Sequence, residues 1–336
     1  MPIFEITSLK HVYAGKTVLD IDHFTVQPAS IVGLIGPNGS GKSTLLRLLG
    51  LIEKPSQGKI LFDGQPVEPF SDVARFQITI LPQEPFLLKR SVFNNVSYGM
   101  NLRGDGAHVS DRVGKALSLV GLAGDDFMRR PWYALSGGEA QRVALAARLA
   151  LNPRVLLMDE PTANVDAASA QLIKAAALKA RKELGTTLVV ASHDWHWLYE
   201  VCDDILLVFK GKIFGTGRET LILGPWKHLT AGNWGKQLSD RQLLWVPQPP
   251  HIDAAAVIDS FAIEEEDSQP ATNEKVLQGV VSRLSLEKKT GQILATIMVG
   301  DLAFSIGLTP QQTQARTIFP GKDVFIHYRP DRINWV

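Results

Sequence analysis

A glycine-rich loop near the start of the chain ends in a lysine and two hydroxyl side chains. It consists of Gly36, Pro37, Asn38, Gly39, Ser40, Gly41, Lys42, Ser43 and Thr44. The loop fits the pattern Gly-x-x-x-x-Gly-Lys-Ser, in which backbone N–H groups and a helix N-terminus surround a phosphate. We expect Lys42 to neutralise phosphate charge and Ser43 to bind Mg²⁺. A glycine turn with a chance lysine is the alternative, but the apolar run before the loop and the helix-forming run after it favour phosphate binding.

Two adjacent carboxylates, Asp159 and Glu160, end an apolar run that begins at Val155. A solvated strand end is the alternative for such a pair. Beside a phosphate loop, Asp159 fits a carboxylate that holds Mg²⁺ through water, and Glu160 fits a group that polarises an attacking water. Pro161 stops the strand, so we expect both acids at the carboxyl edge of a parallel sheet, where such sheets bind ligands.

A second helix start also has the chemistry of an anion site. Ser136, Gly137, Gly138 and Glu139 precede a strongly helix-forming run with an apolar stripe. Ser136 and Glu139 predict a capping box, which is the purely structural interpretation. A hydroxyl and glycine amides at a helix N-terminus also suit a phosphate, so the two interpretations are compatible.

With a third apolar strand that ends in Ser192, His193 and Asp194, these segments resemble the nucleotide-binding subunit of ATP-binding-cassette (ABC) proteins. The resemblance covers about residues 1–222. It implies an α/β fold: a P-loop NTPase ABC cassette with a RecA-like core, an antiparallel β subdomain and a helical subdomain. It also implies an ATPase whose ligands are ATP and Mg²⁺.

The resemblance gives roles to isolated residues as well. It implies that Tyr13 stacks on adenine, although a half-buried strand tyrosine is the alternative. It implies that Gln83 senses Mg²⁺ and links two lobes, and that His193 contacts the γ-phosphate or holds the water and Glu160. Asp166 falls in the family's dimer-contact loop, where Val165 replaces the commoner leucine. We interpret His196 as a surface or packing residue.

In the family, the segment from Ser136 to Glu139 closes over ATP that a partner subunit holds. The resemblance therefore implies a homodimer with two composite sites. It also implies integral-membrane permease subunits as partners and, indirectly, a periplasmic or surface solute-binding protein.

The composition gives no indication of a nucleic-acid partner, because the 336 residues carry a formal net charge of +1. Cys202 is the one cysteine, which rules out an internal disulfide and suggests a reducing compartment. We expect no secretory signal and no membrane helix, since no apolar stretch approaches the ~18 residues that a span needs. Location at the cytoplasmic face of the membrane, through a permease, is the expectation.

The resemblance implies an ATPase domain over 1–222, with its helical subdomain at about 85–150. The pattern along the chain predicts a partly acidic linker over 223–274. Residues 251–274 hold seven acids and no lysine or arginine, which is typical of a solvated segment. Lys210 and Gly211 predict a hairpin turn.

Strand-type alternation returns over 276–284, 292–299, 302–306 and 324–328, with glycine turns between. It predicts a small all-β, OB-like barrel over 275–336. The tract resembles the accessory barrel of importer ATPases and, in part, the molybdate-binding barrel, although the usual Ser-Ala-Arg-Asn run is missing. We therefore expect a structural or regulatory role, with oxyanion binding as the alternative.

The resemblance implies a subunit that energises an importer. The overall length and residues 84–96 are similar to the tungstate branch of the oxyanion importers, so tungstate or molybdate is the expected cargo. The alternatives are another solute, such as sulfate, a polyamine or a sugar, and an oxyanion-sensing or storage protein. A soluble ABC ATPase of translation or DNA repair is less favoured, because the chain shows neither a second cassette nor a coiled-coil insert.

Overall fold

The computed structural model of the protein describes residues 1–71, 74, 76–122, 124–214, 220–230, 233–258, 264–265, 275–286 and 291–335. The chain divides into two units, Met1–Phe214 and Gly215–Val336. Unit 1 contains all the segments that the sequence marks for nucleotide chemistry, and unit 2 contains the strand-rich tail.

The described strands of unit 1 form two sheets. They are β1 (Phe4–Tyr13), β2 (Lys16–Val26), β3 (Ile31–Ile35), β4 (Gln57–Phe62), β5 (Gln65–Pro66), β6 (Ile78–Leu81), β7 (Val155–Asp159), β8 (Thr187–Ala191), β9 (Asp204–Phe209) and β10 (Lys212–Phe214). The first sheet is antiparallel, with the order β2-β1-β4-β5. The second has the order β10-β9-β3-β8-β7-β6.

The second sheet is parallel except for β10. Every residue of β3 and β8 is buried, which is characteristic of parallel strands covered on both faces. The neighbours β3, β8 and β7 end at the same edge, so the segments that follow them meet there. The predicted hairpin between β9 and β10 is confirmed. Its turn residues Lys210 and Gly211 have φ of 45° and 80°, both left-handed, as a two-residue turn of this kind requires.

The described helices of unit 1 connect these strands. They are α1 (Lys42–Leu49), α2 (Val92–Leu102), α3 (Val109–Leu119), α4 (Gly124–Met128), α5 (Gly137–Leu149), α6 (Ala167–Leu184) and α7 (Trp195–Val201). The helix predicted over 110–120 is α3, which begins one residue earlier. Helices α2 to α5 lie between β6 and β7. None of the helices in the described part of the chain is long and apolar enough to cross a membrane.

Unit 2 is rich in strands. They are β11 (Thr220–Leu223), β12 (Lys227–Thr230), β13 (Asn233–Gln237), β14 (Leu243–Val246), β15 (Ala255–Ile258), β16 (Glu264–Glu265), β17 (Lys275–Leu286), β18 (Ile293–Val299), β19 (Leu302–Leu308), β20 (Asp323–Tyr328) and β21 (Asn334–Trp335). These described strands form three sheets, with the orders β11-β15-β21, β12-β13-β14 and β16-β20-β17-β18-β19. A single α-helix among the described residues of this unit, α8 (Pro310–Ala315), follows β19.

The four strands predicted beyond residue 275 are confirmed as β17, β18, β19 and β20. Their inward residues share one apolar core with residues from β14 and β15, including Leu244, Ala256, Phe304 and Ile326. Unit 2 is thus a strand-rich body with its own core. Closure of its sheets into an OB-like barrel stays a prediction.

The predicted linker over 223–274 was wrong for its first part, because the four strands β12 to β15 lie there and belong to unit 2. All four residues of β15 are buried, and the Trp226 indole donates a hydrogen bond to the Ala254 carbonyl at 2.6 Å. The acid count over 251–274 obscured this short apolar strand. Glu264 and Glu265 pair with β20, while residues 259–263 and 266–274 lie outside the described residues.

Candidate functional site

The glycine-rich loop lies between β3 and α1, as its sequence pattern requires. Gly36, Gly39 and Gly41 have φ of 147°, 77° and 111°, a left-handed region that side chains disfavour. A Cβ atom on Gly36 would lie 2.0 Å from the carbonyl oxygen of Val208, so the turn also needs glycine for space. Helix α1 begins at Lys42 without a capping side chain, which leaves its first N–H groups for a ligand.

Lys42 is buried within this loop. Its ammonium donates hydrogen bonds to the carbonyls of Gly36 and Pro37, at 2.8 and 3.2 Å. Burial lowers the pKa of Lys42, and the nearby carboxylates of Glu160 and Asp159 oppose that shift. These hydrogen bonds hold the Lys42 ammonium at the loop. An anion bound in the loop would replace the two carbonyls as the partner of the ammonium.

Hydroxyl side chains complete the loop. Ser43 is the second residue of α1, and the buried Thr44 accepts a 3.4 Å contact from Arg47. Ser40 is buried and its Oγ makes no hydrogen bond to any described residue, whereas Asn38 is exposed. The unpaired Ser40 hydroxyl fits a loop whose polar groups serve a ligand.

The two carboxylates lie at the carboxyl end of β7, as the sequence predicts. Glu160 has a φ of 47°, unusual for a residue with a side chain, and its N–H donates to the Ala191 carbonyl at 2.8 Å. This bond turns the chain toward the end of β8. One carboxylate oxygen of Asp159 is buried and makes no hydrogen bond within the described part of the chain.

Glu160 and His193 form a close pair. His193 Nδ1 lies 2.7 Å from Glu160 Oε1, and the His193 backbone N–H donates to Oε2 at 3.4 Å. Glu160 is 7% exposed, and this burial raises its pKa, while His193 and Lys42 oppose the shift. The structure thus joins two residues that lie far apart in the chain into one unit that could hold and deprotonate water.

A magnesium ion fits the side chains near the loop. The Ser43 hydroxyl and the unpaired oxygen of Asp159 are hard oxygen donors, and phosphate oxygens of a nucleotide would supply others. The described residues include no group of three His, Cys, Asp or Glu side chains that could hold a metal without such help. Gln83 is exposed two residues after β6, where its amide oxygen could complete the set.

The second helix start has the predicted capping box. Ser136 Oγ accepts from the Glu139 N–H at 3.2 Å, and the Glu139 carboxylate accepts from the Ser136 N–H at 2.8 Å. Arg130 lies 3.5 Å from Glu139. Gly137 and Gly138 form the first turn of α5, so their amides lie at its N-terminus beside the Ser136 hydroxyl.

Asp166 caps α6 and adjoins this segment. Its carboxylate accepts from the Ser169 N–H at 2.8 Å, and this backbone hydrogen bond lowers the pKa of Asp166. A Cβ atom on Gly138 would lie 2.3 Å from Ser169 Oγ and 2.8 Å from Asp166 Oδ2. Glycine at position 138 thus lets the two helix starts approach each other.

Tyr13 is the last residue of β1 and is 38% exposed. Its hydroxyl donates to Glu53 and accepts a hydrogen bond from Arg47 at 3.2 Å. The buried His11 ring contacts the Tyr13 ring edge to face, with centroids 4.6 Å apart. Sequence reasoning missed Glu53, Arg47 and His11, because no motif marks them and the register of β1 shifts between His11 and Val12.

Sequence reasoning also missed Gln141, which is 1% exposed on α5. Its amide nitrogen contacts the carbonyls of Pro161 and Pro82, at 3.4 and 3.5 Å. These prolines adjoin Glu160 and Gln83, so one side chain of α5 touches both segments. Gln141 lies three residues after Gly138 and therefore on the same face of α5, and this helical spacing is the signal that could have found it. The side chain of His196 lies outside the described part of the structure.

The comparisons with known proteins all point to the same protein family. The sequence profile of the ABC transporter family matches residues 19–163. The chain is 36% identical over 209 residues to the "Tungstate uptake system ATP-binding protein TupC" of Peptoclostridium acidaminophilum, covering 62% of this chain and 95% of that protein. It is 34% identical to the "Fe(3+) ions import ATP-binding protein FbpC" of Photorhabdus laumondii, covering 69% of this chain and 66% of the relative.

Solved structures agree. CbiO1 from Clostridium perfringens, described as part of the ABC transporter complex CbiONQ, has a TM-score of 0.58 and 32% identity, covering 64% of this chain and 87% of CbiO1. The ATP-binding cassette MJ0796, a dimer in a post-hydrolysis state with ADP and Pi, has a TM-score of 0.59 and 26% identity, covering 63% and 97%. The chain therefore belongs to the ABC transporter family, in which it is an ATP-binding, ATP-hydrolysing subunit with the P-loop cassette fold.

Proposed function

We propose that the protein is the ATPase subunit of an importer and that it works as a homodimer with two composite ATP sites. The observation that supports the dimer is the presence of two helix starts whose groups suit an anion and which lie in different surroundings. The loop glycines Gly36 and Gly41 pack against residues of β2 and β9, whereas Gly138 packs against Asp166 and Ser169. A second copy would bring Ser136, Gly137 and Gly138 onto the ATP that the first copy holds. The dimeric MJ0796 cassette supports this arrangement.

Within each site, the roles follow from position. Lys42 and the loop amides bind the β- and γ-phosphates. Ser43, Asp159 and Gln83 would hold Mg²⁺, which would supply positive charge to the phosphates. Glu160 orients the attacking water and accepts its proton, while His193 holds Glu160 through the 2.7 Å contact. Tyr13 stacks on the adenine. Glu139 and Asp166 orient the adjoining starts of α5 and α6, which would face the partner copy.

The membrane partner would contact the segment at 84–96. Phe86 is 79% exposed and Leu88 is also exposed, while the buried Asn95 side chain binds both backbone groups of Leu88, at 2.7 and 3.1 Å. Asn95 thus keeps an apolar loop in place on the surface. An ordered, exposed apolar loop next to Gln83 suits a helix of a permease subunit, which would couple ATP hydrolysis to transport.

For the cargo we propose an oxyanion, tungstate or molybdate. The TupC relative, named for tungstate uptake, supports this choice. Relatives named for import of Fe(3+) and methionine have similar identities, so another solute is the alternative. The cargo can be tested by measuring the uptake of labelled tungstate, molybdate and sulfate by cells with and without the gene. If cells without the gene take up all three anions normally, an oxyanion cargo is contradicted.

Mixed dimers test the shared site. Chains with Lys42→Ala and chains with Ser136→Arg should each lack ATPase activity, whereas their mixture should regain one intact composite site per heterodimer. Differently tagged chains would show that heterodimers form. A heterodimer that forms but stays inactive would contradict the shared-site arrangement.

A further inference from the structure

The side chain of Tyr13 is tied down although its ring is exposed. Its hydroxyl is both a donor, to Glu53 Oε2, and an acceptor, from Arg47 Nη2 at 3.2 Å. Arg47 Nε lies 2.8 Å from the other oxygen of Glu53. The three polar groups therefore form a closed ring of contacts, which holds the tyrosine hydroxyl in one position.

His11 supports the same arrangement from the buried side. Its ring meets the Tyr13 ring at an interplanar angle of 89°. Its Nε2 lies 3.3 Å from Glu53 Oε2, the oxygen that accepts from Tyr13. The Glu53 carboxylate thus contacts both the His11 ring and the Tyr13 hydroxyl, and it lies at the centre of a cluster. We call this cluster of His11, Tyr13, Arg47 and Glu53 the tyrosine anchor.

Two members of the tyrosine anchor belong to the segment that carries the phosphate loop. Arg47 lies on α1, the helix that begins at Lys42, and Glu53 follows that helix in the chain. Ser56, shortly after Glu53, accepts a 3.0 Å hydrogen bond from the N–H of Val12. The Tyr13 ring is therefore fixed to α1, and its position relative to the phosphate loop is fixed with it.

We propose that Glu53, together with Arg47, is a positioning residue for the nucleotide base: it holds the Tyr13 ring where adenine must stack when the phosphates occupy the loop. The inference rests on the proposed role of Tyr13 in the site. If the Tyr13 ring had to become ordered when ATP binds, the lost side-chain entropy would weaken ATP binding. A ring that is already held in place avoids this cost. This positioning affects the binding of the base alone, so it can be measured separately from the binding of the phosphates.

The test compares the binding of ATP with the binding of inorganic tripolyphosphate, which has no base, to the full chain by calorimetry. Glu53→Ala should weaken ATP binding by about 2–12-fold and leave tripolyphosphate binding unchanged. Tyr13→Ala should weaken ATP binding by about 5–150-fold, again without an effect on tripolyphosphate. In ATPase assays Glu53→Ala should raise KM and leave kcat unchanged.

Two further variants give matched controls. Tyr13→Phe keeps the ring and removes the hydroxyl, so it should match Glu53→Ala, and the double variant should show little additional loss. Glu68→Ala removes an exposed carboxylate that pairs only with Lys54 among the described residues, and it should bind both ligands as the unchanged chain does. Thermal unfolding of each variant checks the fold, and Tyr13→Phe keeps the test open if Glu53→Ala does not fold.

The outcomes distinguish the inference from the site proposal beneath it. If Tyr13→Ala binds ATP normally, the role of Tyr13 in base binding is wrong. If Tyr13→Ala weakens ATP binding but Glu53→Ala and Tyr13→Phe do not, only the positioning role of Glu53 is overturned. If Glu53→Ala weakens tripolyphosphate binding as much as ATP binding, Glu53 supports α1 rather than the base, and the inference is likewise overturned.

Discussion

At the candidate nucleotide site of unit 1, Ser40 Oγ, Asp159 Oδ1 and Gln141 Oε1 are buried and make no hydrogen bond to any described residue. In unit 2, the buried Tyr328 hydroxyl accepts from the Trp245 N–H at 2.6 Å and donates to the Trp245 carbonyl at 3.1 Å. Because an unpaired buried polar group costs stability, the first pattern indicates groups kept for a ligand, and the second indicates groups that hold strands together.

The comparison extends to charge. In unit 1, burial shifts the pKa of Glu160 upward and that of Lys42 downward, and both residues face the phosphate loop region. In unit 2, the largest shift among the described residues is that of Tyr328, whose pKa burial raises while a backbone hydrogen bond opposes it. Perturbed acids and bases at a sheet edge are typical of a reaction site, whereas a buried neutral tyrosine is typical of a core. We therefore expect chemistry to depend on unit 1 alone.

The strongest test of that expectation removes the proposed base. Glu160→Gln should slow ATP hydrolysis by about 10²–10⁴-fold, the usual contribution of a positioned base, while ATP binding persists. Steady-state ATPase assays and equilibrium nucleotide binding measure the two effects. Glu183→Gln, the same change at an exposed position of α6, is the control and should leave hydrolysis unchanged. Near-normal turnover in Glu160→Gln would remove Glu160 from this role.

The pH dependence sharpens the same point. Only the ionised carboxylate of Glu160 can accept a proton, and burial raises the pKa of this carboxyl from its ordinary value. The value of kcat/KM should therefore fall about tenfold per pH unit on the acid side, with a break above the ordinary pKa of a glutamate. The ratio of the pH profiles of the unchanged chain and Glu160→Gln cancels the titration of ATP itself. A ratio that is flat with pH would show that another group sets the acid limb.

A matched change in unit 2 should affect stability and spare chemistry. Tyr328→Phe leaves both Trp245 backbone groups without their partner, at a cost of about 1–3 kcal/mol. Hydrogen exchange of peptides that contain β14 should become faster, with the ATPase rate unchanged. Tyr133→Phe, at an exposed position of unit 1, is the control for loss of a tyrosine hydroxyl. Lost ATPase activity in well-folded Tyr328→Phe would contradict the division between the units.

Removal of unit 2 should have the smallest effect on the reaction. A chain that ends at Phe214 retains Tyr13, Lys42, Glu160 and His193, so it should bind Mg-ATP and hydrolyse it within about twofold of the full-length rate, or ~0.4 kcal/mol in activation free energy. If unit 2 senses cargo, tungstate or molybdate should change the full-length rate and leave the shortened chain unaffected. Loss of nucleotide binding in the folded shortened chain would place unit 2 in the site.

The sequence predicted the phosphate loop, the carboxylate pair and the second helix start correctly as local structures. Each depends on neighbours in the chain: glycine conformations around Gly36 and Gly41, a strand stopped at Pro161, and a capping box from Ser136 to Glu139. The linker prediction was wrong for the opposite reason. Strand β15 is buried because β11 and β21, both distant in the chain, pair with it on either side, as in the pairs Leu223 with Ala255 and Ala256 with Trp335.

The amino-acid sequence by itself determined which residues could bind phosphate and metal, because those chemistries need fixed residue types within a few positions of one another. The tertiary structure alone decided which distant residues act together. The pairing of β7 with β8 joins Glu160 to His193, and the fold of β1 beside α1 joins Tyr13 to Arg47 and Glu53. The glutamine of α5 reaches two prolines for the same reason. Such contacts depend on sheet order and helix packing, which no local pattern encodes.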